Sequence, residues 1–209
     1  MLSAGFLGCA GNRISTQCRI DDVGALLESS RSSFRYPPIE FAMPVGSAIQ
    51  IDSPEGPQCW VATSWEGNPD GAILLLNSGG KSRMLIETGY IEFFAKGPFL
   101  PDVGQTIRCD RLIHGTGMRY HETGLYVFRG GKLRQLWQHA NRNEDYTWPP
   151  YSDSSYWFTF SEDGEHIRVS GRRRTWHPDA VEQSQSATNL PDELYCWRAA
   201  SLSYEACEE

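Results

Sequence analysis

Between residues 125 and 137 the chain reads Leu-Tyr-Val-Phe-Arg-Gly-Gly-Lys-Leu-Arg-Gln-Leu-Trp: an unbroken apolar run, a glycine pair and a mixed run. That is the pattern of a β-hairpin turning at Gly130-Gly131. Side chains alternate across a strand, so Leu125 and Val127 take one face while Tyr126 and Phe128 take the other. A strand apolar on both faces needs cover on both, which a lone hairpin lacks. On the return strand, strict alternation places Leu133 and Trp137 on one face and Lys132 and Arg134 on the opposite one.

The same texture recurs on either side. Placing Leu74-Leu75-Leu76 on Leu125-Tyr126-Val127 carries Gly79-Gly80-Lys81 onto Gly130-Gly131-Lys132, Arg83 onto Arg134 and Leu85 onto Leu136. Placing Leu194-Tyr195 on Leu125-Tyr126 carries Trp197 onto Phe128, Arg198 onto Arg129 and Leu202 onto Leu133, with Ala199-Ala200 in place of the glycines. Two strand-like runs precede each hairpin: 47–52 and 59–65, then 90–95 and 106–114, then 156–161 and 166–171. The pattern predicts an all-β chain of three tandem four-stranded antiparallel units, at about 40–88, 89–140 and 155–209, within a single domain over 37–209. Three such units are compatible with a trefoil-like closure, part of a propeller or a sandwich. Helical periodicity is confined to 21–31, where Asp21 or Asp22 would cap a short stretch with Val23, Leu26 and Leu27 on one face. It falls in an N-terminal segment, 1–36.

Composition narrows the class. The 209 residues are 40% hydrophobic and 22% charged, enough to bury a core without staples. With 26 Asp and Glu against 19 Lys and Arg, the net charge of -7 works against a general attraction to nucleic acid or anionic lipid. The one basic run, Arg172-Arg173-Arg174, reads as a surface turn. No segment reaches the roughly 18 continuous apolar residues of a membrane-spanning helix.

Cys9, Cys18, Cys59, Cys109, Cys196 and Cys207 contain no C-x-x-C pair, so a structural zinc site of the usual spacing is not expected. Cys196 and Cys207 are close in sequence. A two-residue turn at Ala199-Ala200, however, would set Cys196 opposite Ser203, well short of Cys207.

Two stretches resemble known families. Phe6-Leu7-Gly8-Cys9 resembles the lipobox of bacterial lipoproteins, in degenerate or truncated form: no Lys or Arg precedes it and the apolar stretch is short. That resemblance implies lipidation at Cys9 and a periplasmic or extracellular, lipid-anchored protein. "FTFSEDGEHIRVSG" with "LYCWRAASL", and "GTGMRYHETGLYVFRGGKLRQLW", resemble the FG-GAP or VCBS-like repeats of secreted β-propellers. Members of that family often hold calcium in a D-x-D-G-D-G loop. Here "SEDGEH" offers only Glu162, Asp163 and Glu165, and "EGNPDG" only Glu66, Asn68 and Asp70. Both read as β-turns, and no metal or cofactor is expected.

The candidate chemistry is sparse. His114 and His121 flank "GTGMRY", with Asp110 and Glu122 nearby, but the spacing matches no standard catalytic motif and reads as a polar loop. The aromatics carry more. "NEDYTWPPYSDSSYWF", 143–158, sets Tyr146, Trp148 and Tyr151 among prolines and polar residues in a long connection, with Tyr156 and Trp157 starting the next strand; such rings suit sugar or protein surfaces. A second long connection, 175–193, is polar. The preferred expectation is a non-catalytic, exported binding or structural module of the bacterial cell envelope, with a protein or glycan partner bound at Tyr146, Trp148 and Tyr151. The alternative is a carbohydrate-active hydrolase with its site in the loops around 110–122 and 143–155.

Overall fold

The computed structural model describes residues 41–42, 48–53, 56–65, 70–76, 82–115, 117–129, 132–178 and 186–208. Cys9, the 21–31 stretch, Glu66, Asn68 and the glycine pairs of the first two hairpins lie outside the described residues. Those residues form strands and turns, with no helix among them. In chain order the strands are β1 (Phe41–Ala42), β2 (Ala48–Ser53), β3 (Gly56–Trp65), β4 (Asp70–Leu76), β5 (Ser82–Leu100), β6 (Gly104–Gly115), β7 (Met118–Arg129), β8 (Lys132–Asp145), β9 (Tyr151–Phe160), β10 (His166–Trp176), β11 (Ser186–Arg198) and β12 (Ser203–Ala206).

Every pairing is antiparallel and, from β3 to β12, each strand bonds to the next, so the sheet is one open meander; β1 and β2 both pair with β3. Among the described residues, strands from the spans 40–88, 89–140 and 155–209 all belong to this one sheet. The long β5 makes the first junction: Asp70↔Gly89 ends its pairing with β4, and Tyr90↔Leu112 begins its pairing with β6. Gly89 sits at the crossover because a Cβ there would stand 2.7 Å from the Leu112 carbonyl oxygen. The three hairpins differ in their turns. Arg129↔Lys132 leaves only Gly130-Gly131 between strands, whereas Leu76↔Ser82 and Arg198↔Ser203 close longer connections.

β7 runs between two cores. On one face, Tyr126 and Cys109 join Trp60, Ile73, Ile91 and Ile107, with Phe128 packed against them. On the other, Leu125 and Val127 join Leu100, Leu136, Trp137, Ile167, Val169 and Tyr204. The cover demanded by the two-faced Leu125–Phe128 run is thus supplied by β2–β4 on one side and β9–β12 on the other. Each large side chain buried in this way contributes about 1.5–3 kcal/mol of transfer free energy, so β7 is the strand least able to leave.

Strict alternation fails on β8. Leu125 pairs with Trp137 but Tyr126 with Gln135, so Leu136 is an extra residue in a β-bulge. The bulge reverses the faces: Leu133 packs on the first core, while Leu136 and Trp137 both enter the second. Leu133 and Trp137 therefore do not share a face. Arg172-Arg173-Arg174 lies within β10 rather than in a turn, paired with β9 on one side and β11 on the other.

Cys196 and Cys207 are bonded, with Cα atoms 5.2 Å apart. The turn is wider than an alanine pair: Arg198 pairs with Ser203, leaving Ala199 to Leu202 between, and Leu202 takes a φ of 53°. That offset sets Cys196 opposite Glu205 and brings Cys207, whose N–H donates to the Leu194 carbonyl at 2.9 Å, to the adjacent diagonal position. Cys59 is also disulfide-bonded. Cys109 is free and buried, and burial pushes its thiol up to about 12.

Candidate functional site

The connection expected over 143–155 is mostly strand. Asn143–Asp145 pairs with Ser152–Ser154, leaving Tyr146 to Pro150 as the loop, with Pro149-Pro150 cis. The loop is tied at its start. Tyr146 N–H donates to the Gly117 carbonyl at 2.9 Å, and Thr147 N–H donates to Asp145 Oδ1 at 2.9 Å. The latter bond holds the Asp145 carboxyl below its usual range.

Residues opposite one another in antiparallel register share a face. Arg119, Glu144, Asp153 and Arg174 form one such row across β7 to β10; His121, Arg142, Ser155 and Arg172 form the next, and Tyr151 and Trp176 a third. Alternation adds Tyr146 and Trp157 to this face. Tyr146, Tyr151 and Trp176 make a three-ring cluster, every pair near edge-on: 5.8 Å between the tyrosines, 5.9 Å from Tyr146 to Trp176 and 6.2 Å from Tyr151 to Trp176. In the same loop as Tyr146, Trp148 is 80% exposed. The structure thus brings Tyr146 and Tyr151 together, leaves Trp148 projecting from the same loop, and adds Trp176, which sequence reasoning missed. Its signal was present in "RRRTW", an aromatic ending the next strand.

Arg142 organises the charges. Its Nε and Nη2 lie 3.3 and 3.2 Å from the Asp153 carboxylate, and Nη2 lies 2.7 Å from Glu144 Oε1. Arg119 is 3.9 Å from the other Glu144 oxygen. Arg172 and Arg174 are exposed and make no ion pair among the described residues.

Beyond Arg142↔Ser155 the strands β8 and β9 part, and a groove of about 460 Å³ opens, lined by Glu92, Arg108, His121, Asn141, Arg142 and the Tyr156–Phe158 stretch. Its polar groups are held in place. His121 Nδ1 is 2.8 Å from Glu92 Oε2, and Arg108 forks onto Asp110 at 3.0 and 2.7 Å while lying 5.2 Å from the Phe93 ring centre. Thr123 Oγ1 donates to Asp110 at 2.7 Å and accepts from Asn141 at 3.1 Å.

Asp110 and Glu122 stand on strands, not in a loop, and on opposite faces. Asp110 pairs with Thr123, whereas Glu122 pairs with Arg111 in the adjacent row. Glu122 is 2% exposed, held by Arg111 Nε at 2.6 Å and by Gln138. His114 lies on β6 opposite Arg119. In the Ser161–His166 turn, Asp163 accepts from Ser161 Oγ and from Glu165 N–H, and these bonds keep its carboxyl below the usual range. Among the described residues, no three His, Cys, Asp or Glu side chains gather in a metal-ligand arrangement. No described helix is long and apolar enough to cross a membrane.

Comparison of the chain with protein families, with curated proteins and with solved structures finds no match.

Proposed function

We propose that the chain is a non-catalytic binding module of an exported bacterial cell-envelope protein, engaging its ligand through the aromatic surface at Tyr146, Trp148 and Tyr151. The observation that carries this is the mounting of Trp148. An indole 80% exposed sits in a loop pinned to Gly117 and Asp145, between Tyr146 and Tyr151, which pack with Trp176. An exposed aromatic on a tethered loop supplies large contact area, which is what a binding anchor needs. Disulfide bonding of Cys196, Cys207 and Cys59 supports an oxidising compartment, in keeping with lipidation at Cys9 and export. The FG-GAP-like reading of three diverged units assigns five strands or half-strands (β1–β4 and the start of β5) to the first span and four to each of the other two.

The hydrolase alternative rests on the groove. A glycosidase of the usual kind needs two carboxylates facing one bond. Glu92 is the one carboxylate among the groove-lining residues, and Asp110 and Glu122 are split between faces and bound to arginines. The arrangement favours holding a ligand over cleaving it.

The test is retention of a soluble glycan panel by the full chain, beside the Trp148→Ala/Tyr151→Ala variant. Retention by the parent and its loss in the variant is the expected outcome. Equal retention by both, or none by the parent, overturns the reading.

A further inference from the structure

We propose that the ligand of this surface is an acidic saccharide, a chain of sugar rings bearing carboxylates, laid along the outer face of β8–β10 from Trp157 to Tyr151. The inference rests on the binding reading above and names its ligand class. Tyr151, Asp153, Ser155 and Trp157 alternate onto one face of β9, which at about 3.3 Å per residue sets the two rings roughly 20 Å apart. Trp157 is 53% exposed at one end, and the loop carrying the 80% exposed Trp148 leads into Tyr151 at the other. Aromatic planes at both ends of a polar strip suit a chain of rings with apolar C–H faces and hydroxyl edges.

The charges between those ends give the ligand's sign. The chain as a whole carries -7, yet among the described residues this face gathers Arg119, Arg142, Arg172 and Arg174 against Glu144 and Asp153, with Glu92 at its edge engaged by His121. Arg142 is oriented by both carboxylates, while the guanidiniums of Arg172 and Arg174, on the neighbouring strand, are exposed without an ion pair among the described residues. A guanidinium fork matches a carboxylate bidentately.

A nucleic acid is the other polyanion that seeks arginines and stacked rings. Asp153 stands mid-strip, where a continuous phosphate backbone would meet it. A saccharide with one carboxylate per ring presents hydroxyls there instead.

The experiment titrates the full chain, by tryptophan emission and calorimetry, with oligomers of galacturonate, glucuronate and mannuronate, with matched neutral cello-oligosaccharides and with single-stranded oligothymidylate. Acidic oligomers should bind more tightly as they lengthen and more weakly as salt rises. Arg172→Gln/Arg174→Gln should weaken them roughly tenfold or more, as expected for losing two charge-assisted contacts, with an unchanged Tm and no effect on neutral sugars. Equal affinity for neutral and acidic oligomers, unaltered by the arginine variant but abolished by Trp148→Ala/Tyr151→Ala, overturns the acidic assignment and leaves the aromatic site standing. Preference for oligothymidylate overturns the saccharide. Binding to none of the probes overturns both this inference and the reading on which it rests.

Discussion

The Cys196–Cys207 bond should contribute more to stability than any single surface contact, because it anchors the strand that closes the second core. Among the described strands β12 pairs with β11 alone, over Ser203–Ala206, and it carries Tyr204, which is 6% exposed and donates its hydroxyl to the Gly164 carbonyl. The crosslink spans 11 residues. On the chain-entropy estimate, closing such a loop in the unfolded state is worth about 3 kcal/mol, a large share of a total stability of about 5–15 kcal/mol. Replacing both cysteines by serine avoids touching Cys59, which a reductant would not. With a urea slope of about 2 kcal/mol/M, the unfolding midpoint of Cys196→Ser/Cys207→Ser should fall by about 1.5 M. Tyr204→Ala should cost about 3–5 kcal/mol by emptying a buried aromatic site. Since either change releases β12, the two losses combined should be less than additive in a double-mutant cycle. A midpoint unchanged in the serine variant, or full additivity with Tyr204→Ala, would refute the view that the bond and the tyrosine hold the same strand.

Three further outcomes are expected. Burial raises Cys109 from 9.0, and Tyr126 from 10.0, each to about 12. Their stabilising effect is therefore fully present below the unfolded values and lost as pH climbs from about 9 towards 12; urea midpoints should fall over that window, less steeply in Cys109→Ser, and iodoacetamide at neutral pH should label Cys109 only after unfolding. Glu122→Gln removes the carboxylate charge bound to Arg111, whose side chain is 16% exposed, and should cost about 3 kcal/mol by thermal melting; an unaltered Tm would show that the ion pair contributes nothing. Gly164 holds a φ of +74°, and an added Cβ would stand 2.6 Å from the Phe99 carbonyl oxygen, so Gly164→Ala should lose about 1–3 kcal/mol in chemical denaturation. Parent-like stability there would mean the turn can move away from Phe99.

Much of this was legible in the chain, for a local reason. Strand existence depends on short apolar runs between glycines, prolines and polar turns, and the runs quoted at 47–52, 59–65, 90–95, 106–114, 156–161 and 166–171 fall on β2, β3, β5, β6, β9 and β10. The double-faced burial of Leu125 to Phe128 was likewise written in four consecutive apolar residues. Errors came where one residue's offset changes a whole face. The bulge at Leu136 parted Leu133 from Trp137, and the wider turn after Arg198 made possible a disulfide that an alanine-pair turn would have forbidden. Asp110 and Glu122 looked like neighbours of one loop and stand on opposite sides of a sheet.

By itself the sequence determined the all-β character of the described residues, their hairpins, the strand that must lie between two cores and the aromatic loop worth inspecting, because each follows from side-chain alternation within a few residues. Only the tertiary structure decided the continuous meander, the placing of Trp176 beside Tyr146 and Tyr151, and the gathering of Arg142, Arg172 and Arg174 on their face. Those depend on register between strands, and register is set by the packing of both faces at once, which no stretch of the chain carries alone.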